Sequence, residues 1–403
     1  MSAFFNSLLR KRYNKKIVNK LHEQHNSYIY NFHIDRILTF SRYAYNYCDV
    51  LKADLYISHG VRALAATHAI SLATDTNYIY DAIEIPSLSH RNIPDKSHPV
   101  ILNTLDNLSD FYIRNSKKIM TVSNALGKYL TNYNVPIHVL PNYRLNESFA
   151  VQKDCHSNCL HKLCGIKNTK RLILVLSTIT SGIESLFLSI PYLPNDIDIV
   201  FLGNVRPDSY KLSMQKLAKK LKVSKRCHWL NPVPYTALLK TISCAVIGLI
   251  LLNTERLNSY LSLPNRVFDY FAANIPIISP NIPDITALLQ KHTCGITLDN
   301  LKEEGWAKSI NYLLQNLDLY KDNISFFNKT YTWQSQEEKL LKLIDGARSV
   351  TILSMNDLVE NQRFKRIANT LAKNNILVKV FCLSKHKVVN NSSNIHFYLL
   401  EKF

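Results

Sequence analysis

Short apolar runs rich in β-branched and aromatic residues recur along this chain, and helical patterns separate them. Four such runs come first: LYISH (55–59), YIYDA (78–82), KIMTVS (118–123) and IHVLP (137–141). Five more follow: RLILVLS (171–177), DIVFLG (198–203), AVIGLI (245–250), PIIS (276–279) and GITL (295–298). Runs of this length and composition are typical of strands buried on both faces of a parallel sheet. The alternation predicts an α/β chain with two doubly wound domains.

A further unit, made of a strand, a helix and two more strands, starts close to the end of the chain. It consists of VTILS (350–354), a helical pattern from Arg363 to Ala372, LVKVFCL (377–383) and IHFYLL (395–400). This order is the usual beginning of an α/β domain, yet only about 50 residues remain. The regular pattern of apolar residues is lost in the polar stretch from Asn146 to Asn158, where we place the domain boundary.

The composition fits two domains that each bury a core, because 46% of the 403 residues are apolar. The longest apolar run, CAVIGLILL (244–252), is far shorter than the about 20 residues of a membrane span. At the N-terminus the charges follow the apolar residues, the reverse of a secretory signal, so we expect a cytoplasmic location. The net charge of +19 would suit nucleic acid, but the sequence has no motif of that kind, and we expect no nucleic-acid partner.

Basic residues are concentrated in the segment 4–21, before the first acid, Glu23. With apolar residues such as Phe4, Leu8 and Ile17 they form a basic amphipathic pattern, typical of helices that lie on anionic lipid. An ordinary packed helix explains the pattern equally well. Peripheral contact with an anionic membrane surface is therefore one of two expectations.

The eight cysteines are scattered over a large chain, so we interpret them as reduced thiols. The stretch DCHSNCLHKLCG brings Cys155, His156, Cys159, His161 and Cys164 within ten positions. Zinc sites use such ligands. However, the helical spacing just before a strand favours a short helix, and no second Cys or His pair with the usual spacing follows. We predict a short helix and no metal, with a zinc site as the alternative.

The segment LPNRVFDYFAANIPIIS (263–279) predicts a helix that gives way to a strand. Its first turn holds Asn265 and Arg266, where backbone amides and a guanidinium can converge on an anion such as a diphosphate. Asp269, one turn later, could accept hydrogen bonds from a ribose diol. A helix capped by solvent, with Asp269 merely exposed, is an equally good interpretation of the pattern alone.

This segment resembles the donor-binding segment of GT-B glycosyltransferases of the large retaining, nucleotide-sugar-dependent group. Other segments resemble parts of the same family in the same order along nearly the whole chain. They are YDAIEIP (80–86), TVSNALGKYL (121–130) and VLPNY (139–143) in the first domain, TSGIESL (180–186) after the first donor-domain strand, and YTWQSQEEKLL (331–341) in the closing helix.

The resemblance implies two Rossmann-like domains that face a cleft. Residues 1–148 and 349–403 would form the acceptor-side domain, 149–330 the nucleotide-sugar donor domain, and 331–348 the crossing helix. The tail would supply the first strands of the acceptor-side domain, which are missing before LYISH, so we predict a circular permutation. A tandem transferase array cut by a shifted reading frame is the alternative.

The resemblance also assigns roles to single residues. In the donor domain, Asn265 and Arg266 would bind the diphosphate and Asp269 the ribose, and the loop at Ser181 and Gly182 would bring backbone amides to the phosphates. The catalytic candidates His59 and Asp81, with Glu84, end parallel strands at the edge where such folds bind ligands. In this family the leaving diphosphate can act as the base, so no metal and no cofactor is expected.

Three departures from the family pattern weaken the assignment of chemistry. The positions of the family's two glutamates, eight apart, are Leu261 and Asp269 here, and the strand-end histidine is Ile83. The usual Arg or Lys and the Gly of the first donor loop are replaced around STITSG (177–182). The expected function is sugar transfer from a nucleotide diphosphate sugar to a glycan or glycolipid in surface polysaccharide synthesis. A degenerate transferase that binds nucleotide or a partner without catalysis is the alternative. A sugar-nucleotide epimerase on the same plan fits the LPNR helix less well.

Overall fold

The computed structural model describes residues 28–91, 99–146, 159–298, 300–356, 361–384 and 393–400. The basic segment 4–21 lies outside these residues, and so does all of the predicted boundary 146–158 except Asn146. The chain forms two compact units. Unit 1 comprises Met1–Leu140 and Glu337–Phe403, and unit 2 comprises Pro141–Gln336.

The described strands are β1 (Leu55–His59), β2 (Tyr78–Ala82), β3 (Lys118–Thr121), β4 (Ile137–Val139), β5 (Arg171–Leu176), β6 (Ile197–Leu202), β7 (Cys227–Leu230), β8 (Ala245–Leu249), β9 (Ile277–Ser279), β10 (Gly295–Thr297), β11 (Ser349–Ser354), β12 (Leu377–Leu383) and β13 (Ile395–Leu400). They coincide closely with the apolar runs of the sequence.

The described α-helices are α1 (Tyr28–Asn46), α2 (Cys48–Leu51), α3 (Leu64–Thr74), α4 (Pro86–Arg91), α5 (Pro99–Arg114), α6 (Asn124–Leu130), α7 (Leu160–Cys164), α8 (Glu184–Ser189), α9 (Asp208–Lys220), α10 (Tyr235–Ile242), α11 (Leu257–Tyr260), α12 (Asn265–Ala272), α13 (Pro283–His292), α14 (Glu303–Gln315), α15 (Leu317–Thr330), α16 (Gln334–Leu343) and α17 (Gln362–Lys373). Among the described residues, no helix is long and apolar enough to span a bilayer.

The sheet of unit 1 is parallel and has the strand order β13-β12-β11-β1-β2-β3-β4. The tail strand β11 therefore lies inside the sheet, between β12 and β1. It pairs with β1 over five positions, from Leu55 opposite Val350 to His59 opposite Ser354. The strands predicted in the tail thus complete the sheet that begins with β1.

A polar clasp fixes where β11 starts beside β1. The Asp54 carboxylate Oδ2 accepts hydrogen bonds from the backbone N–H groups of Arg348 and Ser349, both at 2.9 Å. In return the backbone N–H of Asp54 donates to Ser349 Oγ at 3.0 Å. Because a shift of one residue would move every side chain to the opposite face, such a clasp helps to specify the register.

Helix α17 covers one face of the unit 1 sheet because its apolar residues recur at helical spacing. Phe364, Ile367 and Leu371 are buried on this face. The next strand, β12, pairs with both β11 and β13, so the tail enters the core through a helix and three strands.

The sheet of unit 2 is also parallel, with the strand order β10-β9-β8-β5-β6-β7. Hydrophobic clusters cover both of its faces. One contains the stacked rings of Phe201 and Trp229, whose centroids are 4.3 Å apart. The other contains Val267, Phe268 and Phe271 of α12. The predicted α/β architecture of two doubly wound parallel sheets is confirmed.

Replacement of Asp54 by alanine tests the clasp. The hydrogen bonds from Ser349 and Arg348 overcome the effect of burial and lower the pKa of Asp54, so its ionised form favours the native state. Because Asp54 is exposed to solvent, which weakens these contacts, we expect Asp54→Ala to reduce the free energy of unfolding by about 0.5–1 kcal/mol in urea titrations at pH 7.

The loss of stability in Asp54→Ala should depend on pH, because the clasp requires the ionised Asp54 carboxylate. A lowered native pKa means that the stabilisation is complete above about pH 4 and is lost as the pH falls further. The difference between wild type and Asp54→Ala should therefore shrink below pH 4. Asp322→Ala, at an exposed helical position of α15, is the control; an equal loss in both variants would contradict the clasp.

Candidate functional site

Two predicted catalytic residues meet at the carboxyl edge of the unit 1 sheet. His59 ends β1 and lies opposite Asp81 of β2 in the strand register. The His59 imidazole Nδ1 is 2.6 Å from Asp81 Oδ2, and both side chains are buried. The structure therefore brings together two of the three catalytic candidates.

An arginine from the tail completes this pair. Arg363, in the first turn of α17, donates through Nη2 to Asp81 Oδ1 at 2.7 Å and through Nε to the same oxygen at 3.0 Å. Its Nη1 donates to the backbone carbonyl of Leu140 at 2.7 Å. The guanidinium is 3% exposed, so the carboxylate and its counter-charge are buried together. This partner was not identified from the sequence.

The second ring nitrogen of His59 also has a defined partner. The Asn361 side-chain amide donates to His59 Nε2 at 2.7 Å, while its Oδ1 accepts from the backbone N–H of Phe364 and caps α17. Since the cap fixes which end of the amide is the donor, Nε2 must accept, and Nδ1 carries the proton donated to Asp81. This arrangement selects the neutral imidazole with the proton on Nδ1.

The environment of Asp81 keeps it ionised. Burial alone would raise the pKa of this carboxyl, but the Arg363 charge and the His59 hydrogen bond outweigh burial and lower the pKa to about 2. Asp81 thus acts as a fixed negative charge that orients His59 and the start of α17.

Glu84, the third catalytic candidate of unit 1, follows β2 in the chain. It is half-buried in the bend between β2 and α4, next to Ile83, which stands at the strand-end position where the resemblance expects a histidine.

In unit 2, a tyrosine fixes the position of α12. The Tyr270 hydroxyl accepts from the Leu176 backbone N–H at 2.8 Å and donates to the Leu174 carbonyl at 2.9 Å, so it joins α12 to the end of β5. The ring lies directly over Gly248 of β8: a Cβ at this glycine would come within 2.5 Å of ring carbon Cδ1. Gly248 is therefore required for the close approach of α12 to the sheet.

The first turn of α12 carries the predicted diphosphate-binding residues. Arg266 Nη1 donates to Ser177 Oγ, just after β5, at 2.6 Å. Asn265 is exposed, and its Oδ1 accepts from Asn142 Nδ2 at 2.5 Å. Burial lowers the pKa of Arg266 from its usual value, which reflects a guanidinium partly removed from water. No side chain caps the start of α12.

Asp269 is buried, in contrast to the interpretation of the sequence in which it is merely exposed to solvent. It is 6% exposed, and its Oδ1 accepts from Arg144 Nε at 2.8 Å. The Arg144 guanidinium in turn stacks over the ring of Tyr235, with its central carbon 4.3 Å from the ring centroid. The carboxylate predicted to contact a ribose is therefore paired with a buried arginine that the sequence did not reveal.

Ser181 and Gly182 lie in the loop between β5 and α8, and both are exposed. Gly182 has a φ of +81°, a left-handed conformation that favours glycine. After β5, Ile179 forms a parallel bridge with Val205, which holds this part of the loop beside the segment that follows β6.

The geometry of unit 2 suits an anion. The loop with Ser181 and Gly182, Ser177 and the first turn of α12 all lie at the carboxyl side of the sheet, where doubly wound folds bind ligands. Arg266 adds a positive charge to the uncapped helix start, whose amides carry partial positive charge. Together they can bind a phosphate or diphosphate.

Replacement of Arg363 tests the buried network. Arg363→Met should lower the free energy of unfolding by about 3–5 kcal/mol, since it leaves Asp81 buried without its counter-charge. Urea denaturation at pH 7 measures the loss. Lys373→Met, at the exposed end of the same helix, is the control and should cost under about 1 kcal/mol. Equal losses would show that the Asp81 pair is not the cause.

Replacement of Gly248 tests the position of α12. Gly248→Ala should lower the free energy of unfolding by about 1–3 kcal/mol, because the new methyl group meets the Tyr270 ring. Gly127→Ala is the matched control: its Cβ would make ordinary contacts of 3.4 Å and longer inside a helix. A Gly248→Ala protein as stable as wild type would contradict the close approach.

Several solved structures are similar to this chain. Sucrose-phosphate synthase from Thermosynechococcus elongatus matches with a TM-score of 0.61 and 10% identity, over 76% of this chain and 77% of its own. HepE from Anabaena, in complex with UDP-glucose, matches with 0.61 and 12%, over 76% and 81%. WaaG, a glycosyltransferase involved in lipopolysaccharide biosynthesis, matches with 0.51 and 14%, over 71% and 83%.

No family model matches the sequence, and no curated protein does. At these identities the likeness concerns the fold, and it agrees with the two parallel sheets described above. The chain has the two-domain, Rossmann-like fold of the GT-B glycosyltransferases.

Proposed function

We propose that this protein transfers a sugar from a nucleotide diphosphate sugar to a glycan or glycolipid acceptor. One observation carries the proposal: Arg266 is held by Ser177 at the end of β5, in the first turn of the uncapped helix α12. This places a cation and a helix start at the carboxyl side of a parallel sheet, a suitable site for a diphosphate.

The chemistry requires this charge. The bond between the anomeric carbon and the diphosphate oxygen breaks, and a bond from the acceptor oxygen to the same carbon forms. The diphosphate gains negative charge as it leaves, so a guanidinium and helix amides that bind it stabilise the transition state. In the proposed retaining reaction the acceptor proton passes to the departing diphosphate, which makes a protein nucleophile and a metal unnecessary.

The remaining unit 2 residues complete the donor site in this proposal. Asn265 hydrogen-bonds the diphosphate, and the loop at Ser181 and Gly182 presents backbone amides to it. Asp269 contacts the ribose, with Arg144 holding the carboxylate in place. HepE, which shares the fold, is described in complex with UDP-glucose, and this supports a nucleotide sugar as the ligand.

We assign different tasks to the catalytic candidates of unit 1. His59 and Asp81 position the start of α17, because both ring nitrogens of His59 and the Asp81 carboxylate already have partners. Glu84, half-buried in the bend that follows β2, is the acid we propose to contact the acceptor. The hexosyl type of the reaction is part of the same proposal.

A non-catalytic role is the second candidate, and one observation favours it. The Arg363–Asp81–His59–Asn361 network engages the groups that could otherwise move protons. Such a protein would bind a nucleotide or a partner without turnover.

The place of action and the chain order are two further parts of the proposal. We infer that the protein works in surface polysaccharide synthesis in the cytoplasm, with the basic segment 4–21 on an anionic membrane surface. WaaG, a fold neighbour, is described as acting in lipopolysaccharide biosynthesis. We also propose that circular permutation placed β11, α17, β12 and β13 after unit 2 in the chain, since β11 lies directly beside β1.

A panel of nucleotide sugars tests the function. Thermal shift identifies the donor that the full chain binds, and nucleoside diphosphate release with added acceptor glycans measures transfer. Release that depends on acceptor supports the transferase, whereas binding without release supports the non-catalytic candidate. Conversion of the donor sugar without release would indicate an epimerase, and no binding by any donor would contradict both the transferase and a nucleotide-binding role.

Replacement of Arg266 tests the diphosphate site. Arg266→Ala should lower kcat/KM for the best donor by about 100-fold to 1,000-fold, because a charge that stabilises the leaving group is lost. Lys219→Ala removes a positive charge from the exposed surface of α9 and serves as the matched control. Arg266→Ala activity equal to that of the control would rule out this role.

A further inference from the structure

A cluster of thiols and an imidazole lies at the opposite edge of the unit 2 sheet from Arg266. Cys159 and His161 flank the start of the short helix α7, which precedes β5, and Cys244 immediately precedes β8. One ring nitrogen of His161 and the sulfur atoms of Cys159 and Cys244 lie within 4.8 Å of one another. Because β5 and β8 are neighbours in the sheet, residues beside their amino ends come close together.

We propose that Cys159, His161 and Cys244 form a zinc site that fixes α7 to the amino edge of the unit 2 sheet. Thiolate sulfur and imidazole nitrogen are the preferred ligands of zinc. This goes beyond the proposed sugar transfer, because the site lies away from α12 and the loop that follows β5.

The spacing of the ligands fits tetrahedral coordination. With zinc–ligand bonds of about 2.0–2.3 Å, two ligand atoms in a tetrahedral site are about 3.3–3.8 Å apart. The three atoms are already within 4.8 Å, so a contraction of about 1 Å completes the site. Rotation about side-chain bonds can supply a movement of this size.

The hydrogen bonding of the His161 imidazole leaves one ring nitrogen for a metal. His161 Nε2 is 2.7 Å from the backbone carbonyl of Lys170, and because a carbonyl can only accept, Nε2 carries the proton. Nδ1 is then the nitrogen that offers a lone pair to the metal. A backbone carbonyl on the second ring nitrogen is a common way to orient a metal-binding histidine.

The charge and burial of the cluster agree with zinc. Cys159 and His161 are 6% and 7% exposed, and Cys244 is half-buried. Binding releases the two thiol protons to solvent and forms two zinc–sulfur bonds and one zinc–nitrogen bond. Two thiolates balance the dication, so the buried site carries no net charge. In the proposed site a water molecule on the half-buried side of Cys244 would take the fourth position.

A structural role follows from the place of the cluster. Ligands bind doubly wound sheets at the carboxyl edge, whereas these residues lie beside the amino ends of β5 and β8. The two chain segments joined by the metal are about 80 residues apart in sequence, so closing this loop restricts the unfolded chain. The metal should therefore raise stability.

The first test uses the untagged full chain purified without chelator. Metal analysis should find about one zinc per chain, and cobalt titration of the metal-free protein should give a thiolate-to-cobalt charge-transfer band. Zinc should raise the Tm of the metal-free protein by at least about 3 °C. Less than about 0.2 zinc per chain, together with no cobalt band, would overturn the proposal.

Variants locate the ligands. Cys159→Ser and Cys244→Ser should each weaken zinc binding at least 10-fold. Cys294→Ser removes a buried thiol elsewhere in unit 2 and should bind zinc like wild type. Equal binding by all three variants would overturn the assignment.

Thiol labelling of the wild-type protein avoids dependence on variants that fail to fold. Zinc should slow alkylation of Cys159 and Cys244 more than that of Cys294, as read by peptide mass spectrometry. A Cys159–Cys244 disulfide in the purified metal-free protein, with no zinc uptake after reduction, would contradict the site. None of these measurements depends on sugar transfer, so failure here leaves the proposed function standing.

Discussion

The parallel pairing of β1 with β11 is the constraint on which unit 1 depends. It joins residues nearly 300 positions apart, and the two strands lie at the middle of the seven-stranded sheet. Without β11, the strand β1 would expose one whole edge of unpaired backbone groups, and β12 would lose its pairing on one side. The Asp54 clasp and the Arg363 network lie at the two ends of this pair of strands. The pairing of β1 with β11, its register and the orientation of His59 at the end of β1 therefore depend on one another.

Much of the fold is predictable from the sequence because the signal is local. Buried parallel strands read as continuous apolar runs, so LYISH, RLILVLS and LVKVFCL correspond to β1, β5 and β12. The tail could be assigned to unit 1 because it contains the strand–helix–strand pattern with which such a domain usually begins. The position of the tail, far along the chain from β1, did not prevent this assignment, because strands that are distant in sequence can be neighbours in a sheet.

The partners of the site residues could not be predicted in the same way. Asp81 and Arg363 are 282 positions apart, and Arg144 and Asp269 are 125 positions apart. Helical spacing indicates that α17 is amphipathic, but it does not reveal that one of its inward-facing residues is a cation with a buried acid to neutralise. The one indication in the sequence is that a charged residue, Arg363, lies on the apolar face of a helix. Such a residue requires a buried partner of opposite charge, but this requirement does not identify Asp81 as that partner.

The chemistry of unit 2 is divided between the two edges of one sheet. Tyr270 and Gly248 set α12 close to the carboxyl ends of β5 and β8, which brings Arg266 to Ser177. At the amino ends of the same strands, Cys159, His161 and Cys244 come together around α7. A single pair of adjacent strands therefore organises both groups of residues. Substitutions at one edge of the sheet can therefore be studied while the residues at the other edge stay unchanged and serve as an internal control.

The late position of β11 has a consequence for synthesis on the ribosome. Unit 2 is one continuous stretch, so all of its strands have emerged before β11 is translated. Strands β1 to β4 of unit 1 have emerged by then without β11, so the β11-facing edge of β1 stays unpaired until β11 is synthesised. Synthesis from the N-terminus therefore sets an order in which unit 2 can fold before the sheet of unit 1 is completed.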